Sequence, residues 1–181
     1  MPKSSVEAPA ITVRLLRPTD PIPEITGLLH RAYAKQVAMN LRPLAGRQDD
    51  ETTRKRCAAG ECHLAVMPRG KGQGERIVGV ILFHEVEDAQ GPPWFRRKDV
   101  DYFSQFGVDP DVQGRGIGRM LLETCERCAV ENGARELACS MAEPDRELYD
   151  FYLRRGYRLI ERWQWPYTNY VSAILSKTLG V

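Results

Sequence analysis

The sequence predicts an α+β (mixed α/β) fold, in which a central mixed sheet of about six to seven strands is flanked by helices on both faces. Three observations support this prediction. Strand-like runs recur along the chain, amphipathic segments with helical spacing separate them, and one glycine-rich loop leads directly from a strand into a helix. Such alternation is typical of sheets covered by helices. The predicted element order is β-α-α-β-β-β-α-β-α-β-β.

The first predicted elements are a strand and an amphipathic helix. Apolar residues alternate with polar ones from Ile11 to Leu15, as in a strand with one buried face. Asp20 is a favourable N-cap and Pro21 a favourable first helical residue. Apolar side chains at helical spacing continue to Tyr33, so we expect a helix that packs one face on the sheet.

A second helix and two strands follow an irregular polar segment, residues 34–49. Asp50 can cap a short helix at Glu51–Ala59. Cys62–Met67 and Arg76–Glu85 then have the composition of strands. The second of these runs is almost continuously apolar, which predicts a central strand of the sheet.

The second half of the chain alternates strands and helices after a long polar connection, residues 86–100. Connections of this length within a compact domain are often functional. Periodicity predicts a strand at Tyr102–Val108, a helix at Ile117–Asn132, a strand around Leu137–Met141, a helix opened by Pro144 and Asp145, and closing strands at Tyr157–Trp163 and Val171–Thr178.

Length and charge limit the range of functions. The chain has 181 residues, which predicts a single domain at residues 11–181 preceded by a flexible N-terminus, residues 1–10. The formal net charge is +2 with 28% charged residues, so nothing electrostatic points to nucleic acid as a partner. We interpret the basic runs Arg54–Arg56 and Arg96–Lys98 as solvated surface.

The sequence contains neither a membrane segment nor a disulfide or zinc pattern. Its longest apolar stretch, Ile77–Phe83, has the length of a strand, and the first ten residues lack the apolar core of a signal peptide. Of the five cysteines, Cys125 and Cys128 lie three apart, but no second pair or close histidine completes a zinc set. We therefore expect reduced thiols, no metal, no membrane partner and a cytoplasmic location.

The most informative segment is the glycine-rich loop Gln113–Gly118. Glycines let the backbone approach a ligand closely. The N–H groups at the start of the following helix have no partner within the helix and can bind phosphate. A Walker-type loop needs a lysine after the glycines, and a dinucleotide loop needs glycine where Arg119 stands, so neither pattern fits. Gln113, Gly116 and Gly118 instead satisfy the pattern Gln/Arg-x-x-Gly-x-Gly/Ala.

This pattern resembles the coenzyme A pyrophosphate loop of the GNAT superfamily of N-acetyltransferases. The predicted element order is also that of the GNAT fold, so the resemblance extends over residues 11–179. It implies that acetyl-CoA is the cosubstrate and that a backbone amide before the loop binds the thioester oxygen. We expect a kink or bulge at Gly107, since glycine within a strand often marks one. The implied cofactor-binding residues are Phe106, Gly107, Val108, Gln113, Gly114, Arg115, Gly116, Ile117, Gly118 and Arg119.

A second segment, Asp145–Tyr157, resembles the GNAT signature in which a Phe/Tyr-Tyr pair precedes Gly-Phe. Asp145 stands where Asn is usual, and Leu148 stands where Ala is usual. In that family the helix lines the pantetheine arm, and the tyrosine protonates the departing thiolate. The resemblance assigns this role to Tyr152, with Tyr149 as the alternative. A core aromatic residue is the other interpretation of Tyr152.

The general base is less clearly indicated than the acid. Relatives use a carboxylate early on the strand before the loop, where this chain has Tyr102 with Asp101 beside it. Glu85, at the end of the preceding strand, is the predicted base, acting directly or through water. His84 is a third candidate, although a structural role explains it better.

The resemblance implies an N-acetyltransferase that moves the acetyl group directly from acetyl-CoA to an amine of a small molecule or peptide. The sequence does not name this acceptor. We expect its site between residues 33–49 and 86–100, where Arg42, Arg47 and Trp94 lie.

Two other classes of function compete with the enzyme. One is a non-catalytic acyl-CoA-binding sensor or regulatory module with the same fold. The other is a nucleotide-binding or purely structural α/β domain, which would not bind coenzyme A. Trp163 and Trp165, which look exposed on a closing strand, leave a homodimer through that edge as a hypothesis.

Overall fold

A computed structural model describes residues 9–84 and 91–180. These residues form a seven-stranded mixed sheet in the order β1-β2-β3-β4-β5-β7-β6, which confirms the predicted fold class. The predicted flexible terminus lies outside the described residues, apart from positions 9 and 10. The strands are β1 (Thr12–Leu15), β2 (Glu61–Pro68), β3 (Glu75–His84), β4 (Val100–Val108), β5 (Glu136–Ala142), β6 (Arg158–Trp163) and β7 (Ser172–Thr178).

Helices cover both faces of the sheet. Leu28 of the first helix packs with Leu64 and Leu82 on one face, and Leu121 of the fourth packs with Ile81 on the other. None of the helices in the described part of the chain is both long and apolar enough to cross a membrane. The described helices are α1 (Ile22–Ala32), α2 (Ala34–Ala38), α3 (Asp50–Ala58), α4 (Ile117–Glu131) and α5 (Arg146–Leu153).

The strands β4 and β5 run parallel, and every other pair in the sheet is antiparallel. Their ladder ends where Phe103 pairs with Cys139, although β4 continues to Val108 and β5 to Ala142. The two strands therefore diverge in the middle of the sheet. Beyond that point the β5-facing edge of β4 has no strand partner among the described residues.

A β-bulge bends β4 where it leaves β5. Val80 pairs with Gly107 but Leu82 pairs with Ser104, so β4 carries one extra residue here. The residue with positive φ is Gln105, at 48°, and not Gly107. The predicted kink or bulge is therefore present next to Gly107 rather than at it. A Cβ at Gly107 would lie 3.0 Å from the Ala32 Cβ, so glycine lets α1 pack closely on the strand.

Two helix starts differ from their predictions. Asp20 does not cap α1, because it forms an ion pair with Arg14 and accepts a hydrogen bond from the Arg17 amide. The cap of α3 is Asp49, whose carboxylate accepts from the Thr52 amide at 2.8 Å, and not Asp50. In both regions several residues suited to a helix start lie close together, and local hydrogen bonds decide which of them occupies the N-cap.

Candidate active site

A cavity of about 770 Å³ opens where β4 and β5 diverge. Its walls include β4 from Tyr102 to Val108, the end of β5, the glycine-rich loop and the inner side of α5. Residues from α1, α2 and α3 close the opposite end. A cavity of this volume, with apolar walls and a few polar groups, is typical of a small-molecule site.

The glycine-rich loop lies at one end of the cavity. Gly114 and Gly116 have φ values of 81° and 77°, a left-handed conformation that glycine adopts without strain. A Cβ at either position would meet nothing within 4 Å, so the space over the loop is open. Gly116 is the N-cap of α4, and the first amides of that helix are therefore available to an anion.

The other predicted loop residues differ in position. Gln113 donates a 3.4 Å hydrogen bond to the Val108 carbonyl across the base of the loop. Gly118 lies in the first turn of α4, where a Cβ would be 3.4 Å from the Phe106 ring. Ile117 is buried under the loop, whereas Arg115 is exposed and does not line the cavity. Phe106, Gly107 and Val108 all line it.

Three arginines surround the loop end of the cavity, and sequence reasoning identified only one of them. Arg119 lies in the first turn of α4, and Arg154 and Arg155 follow α5. Burial lowers the pKa of Arg155, and the neighbouring charges of Arg154 and Arg119 lower it further. The Arg155 guanidinium stacks on the Phe151 ring at 3.5 Å. Arg154 and Arg155 could have been predicted from the sequence, because they follow Tyr152 closely in the chain.

Tyr152 lies on the cavity wall and in the core at the same time. Its side chain is 3% exposed and packs among the rings of Phe103, Phe106 and Tyr157. Burial raises the pKa of Tyr152 well above its ordinary value, as does the neighbouring Cys139 thiol. The phenol is therefore protonated at neutral pH. The alternative residue, Tyr149, does not line the cavity.

His84 lies on the cavity wall at the end of β3. Its Nε2 is hydrogen-bonded to Ser104 Oγ at 2.8 Å, and its ring stacks on Tyr102 with centroids 4.6 Å apart. Burial, with a smaller effect of the Arg56 charge, lowers the pKa of His84 to about 4. The imidazole is therefore neutral at pH 7 and takes up a proton only in acid.

The predicted base, Glu85, lies outside the described residues, although its neighbour His84 lines the cavity. Asp101 is buried and accepts a 3.0 Å hydrogen bond from Asn132 of the α4 end, so it does not face the cavity. Asp145 does line the cavity, with its carboxylate bonded to Gln36 and to the Leu148 amide.

The other end of the cavity is walled by different residues from those predicted. Arg42, Arg47 and Trp94 do not line it, although the 33–49 segment contributes Tyr33, Gln36 and Pro43–Ala45, and Phe95 comes from the 86–100 segment. Arg56, which the sequence placed on a solvated surface, faces the cavity instead and is only partly exposed. Further lining residues from the chain end are Trp165, Tyr167, Thr168, Tyr170 and Ser172.

The two tryptophans of the closing strand are not exposed as expected. Trp163 packs against the cluster of Phe95 and Ile174, and Trp165 donates a 2.9 Å hydrogen bond from Nε1 to Ser140 Oγ. Both indoles are partly buried within this one chain. They therefore do not support the homodimer hypothesis.

All five cysteines are free thiols, and four of them are buried. Folding brings His63 next to Cys128, with Nε2 and Sγ 3.7 Å apart, and Glu61 lies 3.6 Å from the same histidine nitrogen. This proximity could not be predicted from local spacing, because His63 and Cys128 are 65 residues apart in the chain. The group lies outside the cavity.

Comparison with known proteins identifies the family of this chain. The sequence model of the Acetyltransferase (GNAT) family matches residues 31–157. This range is most of the chain and includes the glycine-rich loop and Tyr152. The protein belongs to the GNAT family. Among curated proteins no sequence match was found.

Many solved structures share the fold. PH1933 from Pyrococcus horikoshii OT3 has a TM-score of 0.70 at 16% identity over 95% of this chain and 100% of its own. A GNAT acetyltransferase from Elizabethkingia anophelis with acetyl-CoA bound has a TM-score of 0.62 at 18% identity, covering 93% and 98%. The ribosomal-protein-S18-alanine N-acetyltransferase of Escherichia coli has a TM-score of 0.66 at 16% identity, covering 95% and 96%.

Proposed function

We propose that the protein is an N-acetyltransferase that moves the acetyl group of acetyl-CoA directly to the amine of a small molecule or peptide. The observation that carries this proposal is the single cavity wall formed by the glycine-rich loop, the diverging edge of β4 and the Tyr152 side chain. This arrangement supports the proposal, because amides suited to phosphate and a protonated phenol would lie along one cavity. A cytoplasmic location is part of the proposal and agrees with the buried free thiols.

The residues at the loop fit the pyrophosphate of acetyl-CoA. The left-handed Gly114 and Gly116 leave open space above the backbone, where a Cβ would otherwise project. The first amides of α4 and the positive end of its dipole attract anions, and Arg119, Arg154 and Arg155 add charge around the same end. Gln113, Gly118 and Ile117 then shape the loop rather than contribute charge.

The diverging part of β4 would receive the acyl thioester. Phe106, Gly107 and Val108 line the cavity beyond the last β4–β5 pair. A backbone N–H there is available to the thioester oxygen, where negative charge develops as the amine attacks. The acetyl group moves to the amine as the carbon–sulfur bond breaks, and the sulfur leaves as a thiolate that takes up a proton.

In this proposal Tyr152 supplies that proton and Glu85 removes the proton of the attacking amine. The raised pKa of Tyr152 keeps the phenol protonated at neutral pH, so its hydroxyl can donate a proton to the departing sulfur. Glu85 directly follows His84 at the cavity wall, which supports the choice of this carboxylate. The removal can run directly or through water.

A thiol-release assay with acetyl-CoA and a broad amine panel tests the function. We expect Tyr152→Phe to lower the single-turnover rate by about 10²–10⁴-fold, the usual effect of removing a general acid, with little change in acetyl-CoA affinity. Tyr157→Phe is the matched control, because Tyr157 is in the same ring cluster but does not line the cavity.

Equal rates in the wild-type and Tyr152→Phe enzymes would remove the phenol from the mechanism. A protein that binds acetyl-CoA but releases no thiol with any amine would instead be the non-catalytic acyl-CoA-binding sensor. Failure to bind acetyl-CoA at all would contradict both functions.

A further inference from the structure

The cavity end away from the glycine-rich loop contains a guanidinium that has no acidic partner among residues 9–84 and 91–180. Arg56 lies in the last turn of α3 and faces the cavity. Its two neighbours on the helix, Arg54 and Lys55, both form ion pairs with Glu51. Arg56 forms none with any residue that the structure describes. A partly buried charge that faces a cavity without an ion-pair partner in the described part of the chain is a candidate to bind an anionic ligand.

Buried amides fix the direction of Arg56 without neutralising it. Its Nη1 donates a 2.6 Å hydrogen bond to Gln48 Oε1. Gln48 is 3% exposed and in turn donates to Gln105 Oε1 at 2.7 Å and to Thr53 Oγ1 at 2.9 Å. An arginine has five N–H donors, and within residues 9–84 and 91–180 this contact uses one of them, so further donors can reach a ligand.

The surroundings of Arg56 are aromatic and mostly uncharged. Tyr33, Tyr167 and Tyr170 lie near its charge and line the same cavity. The nearby His84 is neutral at pH 7 because its pKa is lowered to about 4. Two acids among the described residues line the cavity, and both are engaged: Asp145 is bonded to Gln36, and Glu147 forms an ion pair with Lys35.

We propose that Arg56 binds the carboxylate of the acceptor, so that the substrate class is amines that also carry a carboxylate and an apolar or aromatic body. A guanidinium binds a carboxylate through two parallel hydrogen bonds, which gives both affinity and orientation. The tyrosine wall matches the apolar body by contact with flat rings. This proposal rests on the proposed function, since it names the acceptor of that reaction.

The test compares matched acceptors in the thiol-release assay. Each of several apolar and aromatic amino acids is paired with its carboxamide and with the amine that lacks the carboxyl group. We expect the wild-type kcat/KM to be about 10- to 100-fold higher for the amino acid than for either analogue, the usual effect of a hydrogen-bonded charge. Dipeptides separate a free amino acid from the carboxyl end of a peptide as the source of the carboxylate.

Variants at Arg56 separate recognition from folding. Arg56→Gln should lower the kcat/KM for the amino acid much more than the kcat/KM for the uncharged amine, so that the preference for the carboxylate is lost, and Arg56→Lys should retain part of this preference. Arg54→Gln, one step along the same helix and exposed, should leave the preference unchanged. A purely structural role would instead lower kcat/KM for all acceptors equally and lower the melting temperature.

Direct binding keeps this proposal separate from the proposed function. Titration with N-acetyl amino acids and their amides, followed by tryptophan fluorescence, needs no turnover. Tighter binding of the acids, lost in Arg56→Gln, supports the carboxylate site even if no thiol is released. Equal binding of acids and amides, or equal kcat/KM for amino acids and amines, would overturn it while leaving the acetyltransferase proposal intact.

Discussion

At the residue scale, the environment of each side chain decides which chemistry is available at neutral pH. Burial raises the pKa of Tyr152, so the phenol remains a proton donor. The same effect lowers the pKa of His84 to about 4, which makes its imidazole a weak base. Two aromatic cavity residues are thus both kept neutral, because a desolvated site disfavours the charged form of each.

The proposed base can be tested by its pH–rate profile. We expect Glu85→Gln to lower the plateau of turnover at neutral pH, with partial recovery as the pH rises and more of the amine is already free of its proton. The measurement is kcat as a function of pH for wild type, Glu85→Gln and His84→Gln. An unchanged profile in the Glu85 variant would point to Asp145 or solvent, and a defect confined to the His84 variant would point to the imidazole.

At the element scale, the glycine-rich loop shows how backbone conformation prepares a site. Gly114 and Gly116 adopt left-handed φ values that other residues reach only with strain of about 1–2 kcal/mol. The loop then turns directly into α4, whose buried stripe of Ile117, Leu121 and Cys125 anchors it on the sheet. The open backbone is therefore held by a helix that is itself firmly packed.

The proposed pyrophosphate site at the glycine-rich loop can be tested by adding a negative charge to the loop. We expect Gly116→Asp to weaken acetyl-CoA binding by at least about tenfold, because a carboxylate beside the phosphates repels them. Calorimetry measures the affinity. Gly133→Asp is the matched control: its φ is 83°, a Cβ there also meets nothing within 4 Å, and it lies at the other end of α4.

The control removes strain and added charge as explanations, since both variants place an aspartate in a left-handed conformation at an end of the same helix. Undiminished binding by a folded Gly116→Asp protein would place the pyrophosphate site elsewhere.

At the scale of the whole molecule, pH acts on stability through the groups whose pKa folding changes. Burial alone would raise the pKa of Asp109, but hydrogen bonds from Arg31, the Asp111 amide and Arg76 outweigh it, and the pKa is lowered. Because the pKa of Asp109 is lowered, its carboxylate stabilises the folded protein at pH values above its ordinary pKa of 3.8. This stabilisation is lost as the pH falls through the lowered pKa. His84 affects the stability of the fold at higher pH than Asp109 does.

We expect the free energy of unfolding to fall as the pH drops from about 6.5 to about 4, because the unfolded chain takes up a proton on His84 that the folded chain excludes. The loss attributable to His84 is up to about 3 kcal/mol. Burial lowers the pKa of His63 as well, so it adds to the same trend.

Urea unfolding at several pH values measures the effect. His84→Gln should flatten the curve between pH 6.5 and 4, since glutamine can keep a hydrogen bond to Ser104 without titrating. Parallel curves for the variant and the wild type would show that His84 is protonated as readily in the folded protein as in the unfolded chain.

Local patterns determined much of this protein from its sequence alone. The strand and helix periods predicted the order of the main elements and the α+β class, because burial of one face repeats along each element. The spacing of Gln113, Gly116 and Gly118 identified the family, since the loop requires glycine within a few residues of chain. The resemblance of Asp145–Tyr157 to the second GNAT signature pointed to Tyr152. The single domain at residues 11–181 stays a prediction.

Only the tertiary structure decided what faces the cavity. The Arg54–Arg56 run gives no local sign that one arginine turns inward, because its direction depends on Gln48 and on Gln105, which lies 57 residues from Gln48 in the chain. The bulge at Gln105 and the approach of Arg155 to the loop also depend on contacts between distant elements. A local pattern specifies which face of an element is buried, whereas a site is formed by faces that only the packed sheet brings together.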